Sequence, residues 1–267
     1  MTKVGWDALA KWRDFRMGEG GDLWHRALID PTLLSVLGSV RGKRVLDVAC
    51  GNGYLTRRFR RQGAARAVGV DASIRSIRLA RRREAARPSG AEFLLGDAAR
   101  LRDFKPASFD RIVVNMALMD IRDAAGTVRE IGRLLAPEGR LVFSISHPCF
   151  DIDMRSSWLV ERQPYHESVA RKVEGYRRER PVRIPWKISE HEMGYTTSYH
   201  RTLATYSRYL RDAGLAIVRL EEPMPKAELL RKSSQGRFIA EIPLHLVVEA
   251  APWRDRSNRS RRAAPKR

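Results

Sequence analysis

Between residues 44 and 146, five short apolar runs alternate with helical patterns, and this alternation limits the fold more than any other feature. The runs are Arg44–Val48, Arg66–Asp71, Ala91–Asp97, Phe109–Asn115 and Arg140–Ser146. The intervening spacing predicts helices over Tyr54–Gln62, Ile74–Arg87 and Thr127–Leu135. Strands that alternate with helices call for an α/β fold, a doubly wound parallel sheet with helices on both faces. The near-continuous apolar character of the runs agrees, because a sheet covered on both faces has no wet side. Ala216–Leu220 and Leu244–Ala250 predict two further strands, after a helix over Ser198–Ala213 closed by Gly214. Ahead of the sheet lies a helical preface. Asp30 reads as a helix cap and Pro31 as the first helical position, with Gly18–Asp22 as a flexible joint upstream. From Pro148 to about Tyr195 the periodicity fades and the segment reads as an insertion. The expected divisions are a helical N-terminal cap (1–40), a ligand-binding core (41–147), an acceptor-side lid (148–196), the C-terminal part of the sheet (197–251) and a basic disordered tail (252–267).

The chain of 267 residues is 43% hydrophobic, enough to bury a core of this size. It has no apolar run of about 18 residues and no apolar leader, so a cytoplasmic protein is expected. Its two cysteines, Cys50 and Cys149, make no CxxC or Cys/His cluster, and no metal site is expected. The 51 basic residues against 31 acidic give a net charge of +20. Such a field attracts polyanions, and nucleic acid is a possible partner. The alternative is plain solubility, since the arginines spread along the chain and recur on helix faces such as Ile74–Arg87.

Against that charge, three strand ends carry an aspartate: Asp47 in VLDVACGNGYL, Asp71 in GVDAS and Asp97 in LLGDA. Ligands of open α/β sheets bind beyond the carboxyl ends of the strands. A nucleoside triphosphate calls for a G-x-x-x-x-G-K-[ST] loop, which is absent. A dinucleotide calls for G-x-G-x-x-G, but Thr56 stands at the third position and Asp47 adds negative charge. S-adenosylmethionine has a cationic sulfonium, an ammonium and a ribose diol but no phosphate, and suits acids at strand ends. On that reading Gly51 and Gly53 admit the methionine portion and Asp47 favours the ammonium. Asp71 accepts from the ribose hydroxyls and Asp97 from the adenine amino group, beside the Ala98 amide. Asn115 and Met116 line the methyl-donor channel. The full cofactor set expected is Asp47, Ala49, Gly51, Asn52, Gly53, Asp71, Ala72, Asp97, Ala98, Asn115 and Met116.

VLDVACGNGYLTR, GVDAS, GDAARL, FDRIVVNMALMDI and LLAPEGRLVFSISHP, taken in order over Lys43–His147, resemble the motif series of class I (Rossmann-like) S-adenosylmethionine-dependent methyltransferases. The stretch YHRTLATYSRYLRDAGLAIVRLEEP is similar to the C-terminal half of small-molecule members. The resemblance implies a seven-stranded sheet whose last strand runs antiparallel between the fifth and the sixth. It implies methyl transfer, with S-adenosylhomocysteine as the product, but does not specify the acceptor.

Some oxygen and nitrogen acceptors need a base near neutral pH, and whether one is used here the sequence leaves open. His147, leaving the fifth strand, is the first candidate for base or orienter. His25, Tyr199, His200 and Arg201 are candidates for holding the acceptor, and each histidine also admits a structural role. Trp158, Tyr165, Tyr176 and Trp186 either wall an acceptor pocket or build a small core in the insertion. Cys149 lacks the partner that a pyrimidine-methylating pair requires, because the fourth strand ends in Asn115-Met116 without a Pro-Cys, and it reads as a buried structural cysteine. A small-molecule acceptor leads. An RNA methyltransferase using the basic surface, and a non-catalytic module that binds the cofactor, remain as alternatives.

Overall fold

The computed structural model describes residues 3–152, 155–233 and 235–253. The chain opens with β1 (Lys3–Val4), α1 (Gly5–Met17), a π-helical turn (His25–Ile29) and α2 (Asp30–Leu37). Then come β2 (Arg44–Val48), α3 (Tyr54–Arg61), β3 (Arg66–Asp71), α4 (Ile74–Ala86), β4 (Glu92–Leu95), β5 (Phe109–Asn115), α5 (Ala124–Leu134) and β6 (Leu135–Ser146). The insertion holds β7 (Ser156–Gln163), β8 (His166–Val173), β9 (Arg180–Lys187) and β10 (Met193–His200). It is followed by α6 (Leu203–Asp212), β11 (Leu215–Glu221), α7 (Ala227–Lys232), α8 (Gly236–Glu241) and β12 (His245–Pro252).

Seven strands form the main sheet in the order β11-β12-β6-β5-β2-β3-β4. The last strand, β12, is antiparallel to both its neighbours, while β6, β5, β2, β3 and β4 run parallel. This is the order the resemblance implies. Side chains alternate across the sheet, so each strand feeds two cores. Val45, Val113, Val142 and Val247 pack with Leu33, Leu37, Leu55 and Phe59 from α2 and α3. Their neighbours Leu46, Ile112, Phe143 and Leu246 pack with Val128, Ile131, Tyr206 and Leu210 from α5 and α6. Among the described residues no helix is long and apolar enough to cross a membrane.

The insertion differs most from expectation. It contains a β7–β8 hairpin and a three-stranded sheet in the order β1-β10-β9. In β9, Val182, Ile184 and Trp186 alternate with more exposed residues, a period-2 pattern masked by Pro181 and Pro185. Proline is tolerated there because β9 is an edge strand. Strand β10 continues to His200, so α6 begins only at Leu203, and β6 begins at Leu135, earlier than Arg140. The expected tail from Arg254 lies outside the described residues.

Helix α1 is held to this small sheet. Val4 of β1 pairs in parallel with Tyr195 of β10. Leu9, fully buried, sits so close to Gly194 that a Cβ there would lie 2.4 Å from its Cδ2. Trp186 packs between Trp6 and Trp12, with ring centroids 5.5 and 5.7 Å away. These contacts set the helix across the carboxyl ends of the main strands.

Candidate active site

The glycine turn after β2 uses left-handed backbone. Ala49 and Gly51 both have φ 56°, and Gly53, with φ 75°, starts α3. Met116, after β5, also has positive φ (50°). Two non-glycine residues in this conformation at adjacent strand ends mark backbone held by its surroundings. At Met116 the hold is visible, since its N–H donates to the Ser144 carbonyl (3.1 Å) and hydroxyl (2.9 Å).

These turns and α1 enclose a cavity of about 940 Å³. Its walls include Asp47, Ala49, Gly51 and Asn52 from the glycine turn, Asp71 and Ala72 after β3, Asp97 and Ala98 after β4, and Asn115 and Met116 after β5. Gly53 is not in the wall and packs against Phe93 instead. Helix α1 contributes Trp6, Asp7, Ala10, Arg13, Asp14 and Met17 from one face. The loop before α5 adds Asp120, Ile121, Arg122 and Asp123. Seven aspartates and two arginines therefore line a cavity in a chain of net charge +20.

Each carboxylate has a defined setting. Asp47 is 3% exposed and accepts from the Thr56 hydroxyl (2.7 Å). Asp71 accepts from the backbone N–H groups of Gly51 and Ser73, both at 2.8 Å. Burial raises the Asp71 carboxyl above the usual range against those two bonds. Asp97 is exposed and accepts from Ala99 N–H (3.0 Å). Asp123 caps α5 through Gly126 N–H (2.8 Å).

Polar latches hold α1 in place. Asp7 accepts from Ser73 Oγ (2.8 Å) and Arg75 N–H (3.0 Å). Asp14 accepts from Asn52 Nδ2 (2.9 Å) and Arg83 Nε (2.6 Å), and Trp6 Nε1 donates to Asp120 (2.9 Å). Below them, buried Arg57 donates to the Asn52 carbonyl (2.7 Å), fixing the glycine turn from beneath.

Sequence reasoning missed a buried network under this wall. Asp30 does not cap α2: the backbone enters from the π-helical turn, and Ile29 is the N-cap. Its carboxylate instead accepts from Tyr54 Oη and Asn115 Nδ2, all at 3.0 Å, and Asn115 Oδ1 accepts from Ser144 (2.6 Å). His25 lines the cavity and bonds Asp22 through Nδ1 at 2.8 Å.

The other four candidates lie outside the cavity wall. His147 accepts from Cys149 N–H at Nδ1 (3.2 Å) and meets Glu222 through Nε2 (3.1 Å), so both ring nitrogens are engaged. Burial lowers its imidazole below the usual range, with Glu222 opposing. His200 Nε2 bonds the Tyr176 carbonyl (2.7 Å). Arg201, buried beside the Tyr199 ring, donates to the carbonyls of Leu118, Ile121 and Arg122. Together with the Tyr199 N–H to Met119 carbonyl bond (2.7 Å), it clamps the loop after β5. Of the insertion aromatics, Trp158 walls a separate cavity, Tyr165 is exposed, Tyr176 bonds Leu203 N–H and Trp186 backs α1. Cys149 is half-buried beside Tyr176 rather than fully buried.

The setting of Asp47 has a measurable consequence. Burial pushes its carboxyl up to about 7, Thr56 opposing and the Asp71 and Asp30 charges adding to the rise. In an unfolded chain it titrates near 3.9, so folding favours the protonated form. That stabilisation is complete below about pH 4 and is lost as the pH climbs toward 7. Between about pH 5 and 8 the Tm of the cofactor-free protein is expected to fall relative to that of Asp47→Asn. A constant difference across that range would refute this titration.

A family described as "Methyltransferase domain" matches residues 46–143. A structure of an S-adenosylmethionine-dependent methyltransferase from Mesorhizobium loti superposes with a TM-score of 0.68 at 28% identity, covering 82% of this chain and 95% of that one. A 2-phytyl-1,4-naphtoquinone methyltransferase of Thermosynechococcus vestitus is 38% identical over 40% of this chain. A ubiquinone biosynthesis O-methyltransferase of Neisseria meningitidis is 37% identical over 39% of it. The chain spans about half the length of these two relatives, 48% and 44%. The sheet order, the turn after β2 and these likenesses together make residues 46–143 a methyltransferase domain of the class I, Rossmann-like kind, with S-adenosylmethionine as its cofactor.

Proposed function

We propose that this protein transfers a methyl group to a small-molecule acceptor through an oxygen, nitrogen or carbon nucleophile. The observation that carries this reading is the 940 Å³ cavity walled on one side by α1. Ligand pockets run from roughly 300 to 1,000 Å³, so this one is large enough for a cofactor and a modest acceptor together. One relative's name gives a phytyl-substituted naphthoquinone, and the other's an O-methyl transfer in ubiquinone biosynthesis, both small-molecule chemistry.

The residues present fit the cofactor. A carboxylate has about four lone-pair sites. Asp71 uses two on Gly51 and Ser73, which leaves two for a ribose diol. Asp47 suits the ammonium, Asp97 and Ala98 the adenine, and Ala49, Gly51, Asn52, Ala72, Asn115 and Met116 complete the lining, with Gly53 supporting the turn. When bound, S-adenosylmethionine supplies an electrophilic methyl group on a cationic sulfur. The protein's own work is to hold charge, exclude water and align the acceptor, and alignment supplies much of the rate in such a displacement.

The arginines that give the chain its charge lie mostly outside this wall, where Arg13 and Arg122 are the only two among the described residues. That favours a metabolite over RNA. Incubation with tritium-labelled S-adenosylmethionine and either 1,4-dihydroxynaphthalene, catechol or bulk tRNA is expected to place label in the organic extract. Label confined to acid-precipitable tRNA would overturn the small-molecule reading.

A further inference from the structure

We propose that His25, oriented by Asp22, is the general base that takes the acceptor's proton during methyl transfer. This rests on the small-molecule reading above and assigns a catalytic role inside the same cavity.

The dyad is built by the preface. One oxygen of Asp22 accepts both the backbone N–H (3.0 Å) and Nδ1 (2.8 Å) of His25. The other accepts from Arg13 of α1 (2.9 Å). Asp22 and His25 are 9% and 6% exposed, so the pair is shielded from bulk water. Burial opposes ionisation of Asp22, but the hydrogen bonds from His25 and the charge of Arg13 hold the carboxyl below its usual range. An ionised carboxylate only accepts, so Nδ1 carries a proton, and in the neutral ring Nε2 then holds the free electron pair. Among the described residues Nε2 has no hydrogen-bond partner, and His25 lines the cavity.

The ring is also fixed in place. Gly21 has φ +85°, and a Cβ there would lie 2.8 Å from the His25 Cβ. Tyr54 meets the ring edge-on at 6.3 Å. The charged and titratable groups around it are Asp22 and Arg13, Asp30 of α2, Tyr54 of α3 and His245 of β12. Asp22 and Asp30 favour an imidazolium once it forms. Tyr54 stays neutral because burial and Asp30 push its hydroxyl well up, and burial pushes His245 down to about 4. Arg13 is the one fixed cation of this group that opposes the new charge, and Asp22 already neutralises it. His147 lacks these properties, since both its nitrogens are engaged.

The step balances simply. An O–H or N–H proton of the acceptor passes to Nε2, and the pair that held it stays on the acceptor atom as the nucleophile. The bond from the acceptor atom to the methyl carbon forms as the methyl–sulfur bond breaks, the electron pair of that bond staying on sulfur as a neutral thioether; the imidazolium then returns its proton to water.

The test uses the full chain, His25→Gln, His25→Ala and Asp22→Asn, each loaded with S-adenosylhomocysteine and its affinity measured by calorimetry. Nitrogen-15 spectra of the histidine rings are expected to show the Nδ1–H tautomer for His25, lost or mixed in Asp22→Asn. With 1,4-dihydroxynaphthalene as acceptor, kcat of His25→Gln should fall by about 10²-fold or more. Its acid-side pH limb should vanish, and added imidazole should partly restore His25→Ala. An Nε2–H tautomer, or a kcat within about threefold of wild type with an unchanged pH profile, would overturn the assignment. If wild type binds S-adenosylhomocysteine but methylates no phenol or quinol, the acceptor reading fails separately. The dyad is then judged by 4-nitrophenol, which should ionise on binding to wild type and not to His25→Gln; equal ionisation overturns it.

Discussion

Asp71→Ala is expected to weaken S-adenosylhomocysteine binding by on the order of 10²-fold or more. Charge-assisted hydrogen bonds contribute about 1.5–3 kcal/mol each, and two ribose hydroxyls on the two free lone-pair sites bring the loss into that range. The same substitution acts on the protein itself. It removes the acceptor for the N–H groups of Gly51 and Ser73, and each group left unpaired costs about 1–3 kcal/mol. A lower Tm is therefore expected alongside the lost affinity. Calorimetry at a temperature where circular dichroism shows the variant folded separates the two effects. Unchanged affinity would mean that the ribose lies elsewhere.

Gly53→Ala should be the most damaging single-methyl change in the glycine turn. The residue has φ 75°, and a new Cβ would fall 2.2 Å from Phe93 Cε1 and 2.5 Å from Cζ. Phe93 is 5% exposed and packed with Cys50, Ile77 and Ala80, so its ring has nowhere to go. A left-handed alanine costs about 1–2 kcal/mol, and overpacking a filled core about 1–3 more. Gly51 supplies the control, because its φ is 56° and a Cβ there meets nothing within 4 Å. Gly51→Ala should carry only the backbone cost. Urea unfolding of both variants decides the matter: equal losses would sink the packing explanation for Gly53.

The strands and their acids were legible because local pattern carries them. Asp47, Asp71 and Asp97 sit beside runs whose apolar character both faces of the sheet enforce. A helical cap over residues 1–40 was legible, but the side chains that α1 turns into the cavity were not, for a physical reason. Its inward face includes Asp7, Arg13 and Asp14, so the hydrophobic periodicity that reveals an amphipathic helix is weak there. Its partners are also remote in sequence, Ser73 for Asp7 and Asp120 for Trp6. Asp30 looked like a cap because Asp-Pro opens many helices, and only the preceding π-helical turn reveals that the backbone is already helical. Arg201 looked like an acceptor contact, yet its guanidinium is taken up by three carbonyls of the loop after β5. A motif marks a residue as constrained without saying whether a ligand or the chain itself does the constraining.

The wall formed by α1 also bears on the pace of the enzyme. It is fastened by side chains, through Asp7, Asp14 and Trp6, and by the two residues of β1, rather than by membership of the large sheet. Fastenings of that sort come undone without unfolding what lies underneath. A spent nucleoside thioether leaving past this helix has to break them first, and when such an opening is slow it, rather than the chemistry, sets turnover. Where release runs past α1, the groups that shape the chamber also govern how quickly it empties.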